Sequence, residues 1–463
     1  MYFQQFYLGC LAHASYMLAS EGTAIIVDPQ RDVEIYLRAA DERGFQIKHI
    51  FETHLHADFV SGHRELAART GAQVYLSRLA GARFPHVPVD DGFELQFGNC
   101  HIRTLATPGH TPESICLLVI DPEKSVNPWA VLTGDTLFIG DVGRPDLSPT
   151  HTPQQLAGML FDSLHQKLLT LPDEVLVYPA HGAGSLCGRN MRAERYSTIG
   201  TERLTNYALQ IRTKEEFIQQ LTTNLPVRPE YFAHDAEINR EGAPPLNDLP
   251  PLRSLNASEL QQIIEDDSAV VLDVRESADF AAAYVPGSIN IGLSGQFASW
   301  AATILGLDTP IVLLAQSVDQ VNEARIRLAR VGIETMTGYL EGGLATWTAS
   351  GLSTSTIGRI SPSELSSAIR SGDVQVLDVR RQGEWDSGHL DVAYFRPLDL
   401  FYSGLPELDP TKPVAVHCKS GYRSMIAASL LKKAGFSEVV DVIGGFDAWE
   451  KQNLPISTAA AAS

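Results

Sequence analysis

The chain has 463 residues, a formal net charge of −19 and 44% hydrophobic residues. That length exceeds one ordinary domain and suits about three. An acidic surface with no Lys/Arg cluster repels phosphate backbones, so no nucleic-acid partner is expected. No membrane partner is expected either, because no apolar run approaches the ~20 residues of a membrane span.

The opening, MYFQQFYLGCLAHASYMLAS, has no basic stretch ahead of its apolar residues, so it reads as a first strand rather than a signal peptide. The five cysteines, Cys10, Cys100, Cys116, Cys187 and Cys418, are odd in number and scattered. This argues against a disulfide framework and for a reducing cytoplasm, where a thiol is kept for reactivity.

Up to residue 200, short apolar runs alternate with turn signals, and several runs hand over to a polar residue: KHIFET to His54, TLATPG to His110, AVLTG to Asp135 and VLVYPA to His181. Side chains at strand ends can converge on one point held by a rigid scaffold. His54, His56 and Asp58 form H-x-H-x-D, weak evidence alone but strong when His110, Asp135 and His181 follow. Imidazole and carboxylate ligands suit a borderline divalent metal. Residues 200–245 read as one or two helices, and residues 243–252, with four prolines, as an extended linker.

Beyond the linker lies an internal repeat. VVLDVRESADF (270–280) matches VQVLDVRRQGEW (374–385), and GYLEGGLATW (338–347) matches DVIGGFDAW (441–449). A period of about 100 residues is too long for a solenoid and indicates two copies of one small α/β domain. In the second copy, VAVHCKSGYRS places Cys418 between an apolar strand and a helix-like run, with Arg423 after four residues. Backbone N–H groups and the helix dipole at such a turn stabilise a thiolate or a persulfide anion. Arg423 adds charge for an anionic sulfur donor or acceptor. Aligning IVLLA with VAVHC puts Ala315 at the place of Cys418 and Gln320 at that of Arg423, so the first copy has neither nucleophile nor cation. The Ala-rich tail after Thr458 is expected to be disordered.

The histidine and aspartate set resembles the metallo-β-lactamase superfamily, and within it the glyoxalase II and persulfide dioxygenase branch. LDVR, GHL, the Cys418–Arg423 loop and GGFDAW resemble rhodanese domains. Taken together, the chain is similar to persulfide dioxygenase–sulfurtransferase fusions. The resemblance implies a multidomain α/β chain: an αββα sandwich over 1–245, an inactive rhodanese-like domain over 253–355 and an active one over 357–457. It also implies one Fe(II) on His54, His110 and Asp135, a set that leaves positions open for substrate and O2. His56, Asp58 and His181 would orient water and ligands around it. Phe59 stands where many two-metal members carry a histidine, which favours a single ion. The residues alone leave zinc open.

The same resemblance implies that Arg144 grips the carboxylate of the thiol substrate and that Cys187 is a functional thiol. It implies oxidation of a low-molecular-weight persulfide, of glutathione or a similar thiol, to sulfite, with thiosulfate then made through Cys418. A homo-oligomer is expected for fusions of this kind. Two other readings stand beside it: a glyoxalase II-like zinc thioester hydrolase with an accessory rhodanese, and a sulfur carrier or sensor. Two departures from the pattern, Phe59 and Asp391-Val392 in place of the usual Pro-Gly after GHL, bear on the metal count and on one turn.

Overall fold

Period-2 alternation builds the first two sheets. In the strand His13–Ser20, Tyr16 and Leu18 face one core while Met17 and Ala19 face another. In Ile115–Ile120, Leu117 and Val119 join the first of these cores, and Cys116 and Leu118 enter a third. Strands buried on both faces belong to the middle layers of a fold. The computed structural model describes residues 1–223, 225 and 227–458 and places these strands in two six-stranded sheets. The Ala-rich tail lies outside the described residues.

The first sheet follows chain order: Tyr2–Leu8, His13–Ser20, Thr23–Val27, Gln46–Phe51, Gln73–Ser77 and Val87–Val89. The second runs Ser197–Thr198, Leu176–Pro179, Ala130–Gly134, Ile115–Ile120, Cys100–Ala106 and Glu94–Phe97. The core between them holds Tyr16, Leu18, Ile25, Phe51, Ile102, Leu117 and Leu132. Helices cover the outer faces: Glu34–Asp41 and His63–Thr70 on the first sheet, Pro153–Gln166 and Lys214–Thr222 on the second. The layers are those of an αββα sandwich.

Between residues 199 and 245 the described residues form three short α-helices, Ile199–Thr205, Lys214–Thr222 and Tyr231–Glu241, rather than one or two. Capping side chains divide the run. Asn206 closes the first helix by turning its amide onto the Phe138 and Asp141 carbonyls, and Thr213 opens the second by accepting from Glu216 N–H. The proline-rich stretch is extended on either side of one 3-10 turn, Leu246–Asp248.

The chain divides into two compact units, Met1–Leu249 with Ala329–Gly332, and Pro250–Leu328 with Ile333–Ser463. The second unit holds two five-stranded parallel sheets of matching order. They run Arg253–Leu255, Met336–Leu340, Ile311–Leu314, Val270–Asp273, Ile289–Asn290, and Gly358–Ile360, Val439–Val442, Val414–His417, Gln375–Asp378, Ala393–Phe395. These are the two rhodanese-like folds.

The repeated LDVR has a structural cause. Asp378 receives two nitrogens of Arg380 at 2.6–3.0 Å, and the same guanidinium donates to Gly388 O at 2.7 Å. Asp273, Arg275 and Ala283 O repeat the arrangement. The turn at Asp391-Val392 forms without Pro-Gly, closed by Ala393 N–H on Leu390 O. No helix among the described residues is long and apolar enough to cross a membrane.

Candidate functional site

Three segments of the first unit bring His54, His110 and Asp135 together. His54 follows the strand Gln46–Phe51, His110 lies beyond Cys100–Ala106, and Asp135 directly follows Ala130–Gly134. One ligand atom of each lies within 4.8 Å of the others, all buried. His110 Nε2 is 3.4 Å and His54 Nε2 3.9 Å from Asp135 Oδ2.

The outward-facing ring nitrogens explain this aim. His110 Nδ1 donates to Arg144 O at 2.9 Å, which fixes its tautomer and leaves Nε2 as the lone-pair nitrogen. Thr53 Oγ1 donates to Asp28 Oδ2 at 2.9 Å, so at 3.0 Å it can only accept from His54 Nδ1. Asp28 itself is fixed by Thr53 N–H at 2.7 Å. The loop bearing Arg144 must come close to do this: a Cβ on Gly143 would lie 2.0 Å from Asp135 O and 2.8 Å from His110 Nδ1. Only glycine fits there.

The donor set fits a metal ion. Nε2 of His54 and of His110 are buried without a hydrogen-bond partner, an arrangement that costs free energy unless something accepts their lone pairs. Burial, with the neighbouring imidazole of His56 for His54, lowers the pKa of both rings and keeps them neutral. Burial alone would raise Asp135, but His181, His110 and His54 together hold its carboxyl well below the usual range. Neutral imidazoles beside an ionised carboxylate are the ligand states a divalent cation needs.

The other predicted residues surround this triad. His181 lies between two carboxylates, Nδ1 at 2.8 Å from Asp135 Oδ1 and Nε2 at 2.9 Å from Asp58 Oδ2. Burial opposes its charge, yet Asp135 and Asp58 raise the imidazole well above its ordinary value. His56 directs Nε2 at Asp28 (3.2 Å) and Glu52 (3.6 Å). Cys187 is buried beside Asp58 and His181. Burial and the charges of Asp58 and Asp135 push its thiol well above the usual range, so it stays protonated. Arg144 is buried with its fork filled by Asp146 at 2.6 and 2.8 Å, while its N–H donates to Cys187 O.

Sequence reasoning missed His13 and Asn239. The His13 ring is fully buried 4.1 Å from that of Phe59, with both nitrogens unpartnered. Asn239 holds the H-x-H-x-D loop, donating at 2.8 Å to His56 O and Phe59 O and accepting from Ser61 N–H.

In the second unit, Cys418 follows the strand Val414–His417 and precedes the helix Tyr422–Lys433. Gly421 N–H points at Cys418 Sγ at 3.1 Å, and Sγ lies 3.6 Å from Ser424 Oγ, which donates to Asp441 at 2.7 Å. Phe446 and Asp447 N–H donate to the carbonyls of Cys418 and Lys419. The Gly-Gly motif allows this approach, since a Cβ on Gly445 would lie 2.4 Å from Cys418 O. Arg423 reaches Glu384 with both terminal nitrogens, at 2.6 and 2.8 Å.

Comparison with known proteins agrees with this architecture. Residues 8–181 match the model of the metallo-beta-lactamase superfamily, and residues 256–350 and 361–452 match that of the rhodanese-like domain. The mitochondrial persulfide dioxygenase ETHE1 of Bos taurus is 33% identical over 210 residues, 44% of this chain and 73% of that protein. A crystal structure of a metallo-beta-lactamase from Staphylococcus aureus matches with a TM-score of 0.65 at 32% identity, covering 73% of this chain and 98% of that one. A probable adenylyltransferase/sulfurtransferase, MoeZ of Mycobacterium tuberculosis, is 41% identical over 99 residues, 21% of this chain and 25% of that protein. The chain therefore belongs to the metallo-β-lactamase superfamily, as a relative of the persulfide dioxygenase ETHE1 that carries two rhodanese-like domains behind its metal-binding fold.

Proposed function

We propose that the chain oxidises a low-molecular-weight persulfide with O2 at one iron and passes sulfane sulfur through Cys418. One observation carries the reading: in a chain related to a persulfide dioxygenase, two buried, neutral, unpartnered imidazole nitrogens converge on an ionised carboxylate. Fe(II) held by His54, His110 and Asp135 would supply the redox chemistry, because two histidines and one carboxylate leave coordination positions open for a sulfur ligand and O2.

The chain's own groups do the rest. Arg144 O and Thr53 Oγ1 keep both ligating imidazoles in the required tautomer. His181, raised by the two carboxylates that flank it, sits 2.8 Å from Asp135 and 2.9 Å from Asp58, and its charge helps keep Asp135 ionised in a buried pocket. His56, with Nε2 3.2 Å from Asp28 and 3.6 Å from Glu52, and Cys187, a buried protonated thiol, wall that pocket. Arg144 would take a substrate carboxylate by exchanging Asp146 for it, since both offer the same bidentate geometry. The net oxidation consumes persulfide, O2 and water and releases the thiol, sulfite and two protons.

Cys418 then acts as carrier. Its thiolate attacks the outer sulfur of a second persulfide, the donor's S–S bond breaks, and the thiol leaves. Sulfite attacks the outer sulfur of the resulting Cys418 persulfide, forming the S–S bond of thiosulfate and returning the thiolate. Tethering the two centres raises their effective concentration for each other. The test is O2 consumption with glutathione persulfide on protein loaded with iron under anaerobic conditions. Steady uptake with sulfite release is expected, and uptake no faster than without protein would remove the dioxygenase reading.

A second reading has one observation in its favour. Asp58, His181 and Cys187 form another group whose ligand atoms lie within 4.8 Å. Two zinc ions and cleavage of S-lactoylglutathione without O2 would identify a thioester hydrolase instead.

A further inference from the structure

The loop from Cys418 to Arg423 is held from two sides. Its first half is fixed by its own copy, where Phe446 and Asp447 N–H bind the carbonyls of Cys418 and Lys419. Its second half turns through Gly421, at φ +112, and enters the helix at Tyr422. A glycine in that region gives the backbone freedom that some outside contact must remove. The contact comes from the cysteine-less copy.

Tyr422 Oη donates to Gly292 O at 2.8 Å. The ring lies on Gly295, where an added Cβ would sit 3.4 Å from Tyr422 Cζ. Burial pushes the phenol's pKa up, so it remains a donor. The accepting segment is itself fixed, since Arg327 donates to Leu293 O at 2.5 Å and to Gly295 O at 3.0 Å. About two helical turns further on, Ser429 Oγ accepts from Asn290 N–H at 3.1 Å, covering the edge strand Ile289–Asn290. The residue gripped in this way stands between Gly421, whose N–H points at Cys418 Sγ, and Arg423.

We propose that the cysteine-less copy is part of the sulfur-transfer machinery: through Gly292 it holds Tyr422 and so sets the geometry of the cradle around Cys418. Tyr422 is a positioning residue, and the first copy takes part in the transfer without a thiol of its own. The proposal rests on the reading of Cys418 as the sulfur carrier.

The test uses the full chain with two variants. Y422F keeps the ring and removes the donor; S429A weakens the same interface away from the loop. Sulfur transfer from glutathione persulfide to sulfite gives kcat and KM, and mass spectrometry of the Cys418 peptide gives its iodoacetamide alkylation rate against pH. Losing a hydrogen bond that orients the cradle predicts a kcat about tenfold lower for Y422F, with KM within about twofold. Its alkylation profile is expected to move to higher pH, while S429A matches the parent in both readouts. O2 uptake stays unchanged in both variants. A parental alkylation profile in Y422F, or a loss in S429A as large as in Y422F, overturns the positioning role. If the parent itself moves no sulfur, the carrier reading fails separately and the alkylation profiles still decide this one.

Discussion

Thr53 offers the sharpest test of how the metal site is preorganised. Its hydroxyl donates to Asp28 Oδ2 at 2.9 Å and accepts from His54 Nδ1 at 3.0 Å, so it carries the influence of the carboxylate to the ligand. T53V removes the oxygen and nearly preserves the shape. The peptide stays anchored, because Thr53 N–H still binds Asp28 Oδ1 at 2.7 Å. What is lost is the acceptor for a buried imidazole N–H. Leaving such a donor unpaired costs about 1–3 kcal/mol, which at about 1.4 kcal/mol per tenfold weakens metal binding about 5- to 140-fold. Loss of a partner of a ligating histidine generally costs about 10- to 100-fold, inside that span. Competition with a chromogenic chelator under anaerobic conditions measures it, and T53S is expected to restore most of the affinity. Should T53V bind Fe(II) as tightly as the parent while keeping its fold, the tautomer argument is refuted.

Three further outcomes follow from the same geometry. C418S is expected to abolish thiosulfate formation while O2 uptake continues, because the oxidation uses no step at that thiol; parental thiosulfate yields would separate the two reactions. For Glu384, burial raises the carboxyl but Arg423 overrides it and holds the value down to about 2. The folded value lies below the unfolded one of about 4.3, so this stabilisation is complete above that pH and is lost as pH falls toward 2. E384Q is expected to flatten this acid slope in urea unfolding and, by freeing the Arg423 fork, to lower KM for sulfite roughly threefold; an unchanged slope would contradict the assignment. F59H places an imidazole beside His13, Asp58 and His181, and after metal-free protein is loaded with excess zinc, metal analysis is expected to find two ions per chain in the variant against one in the parent.

The sandwich and the convergence of His54, His110 and Asp135 were legible because each chemical residue ends an apolar run. ETHLH, TPGH, TGD and PAH all mark a strand handing over to a loop, and the structure places His54, His110, Asp135 and His181 there. What escaped was long-range. Asn239 binds Phe59 O across 180 positions of sequence, and a lone Asn inside a helix gives no sign of that. His13 is one letter in a strand of small and apolar residues, and only the sheet's closure beside His181 gives it a place in the pocket. Arg144 and Arg423 were visible as cations. That Asp146 and Glu384 fill their forks depends on side-chain directions that spacing does not encode.

The two rhodanese-like copies show why chemistry can vanish from a fold that persists. The interactions they share bind backbone: Arg275 to Ala283 O, Arg380 to Gly388 O, and a glycine against the carbonyl of the residue after the central strand, Gly343 at Ala315 and Gly445 at Cys418. Replacing any of them leaves a buried carbonyl unpaired or drives a Cβ into backbone, which costs several kcal/mol in total. The thiol of Cys418 carries no such burden. Alanine in its place removes one small buried group, a loss of about 1 kcal/mol, and Gln320 at the place of Arg423 turns back to accept from Gln316 N–H at 2.9 Å. Selection on stability alone therefore keeps Asp-Val-Arg and Gly-Gly and is nearly indifferent to Cys and Arg. A copy released in this way still presents a rigid edge, and in this chain that edge lies on Tyr422.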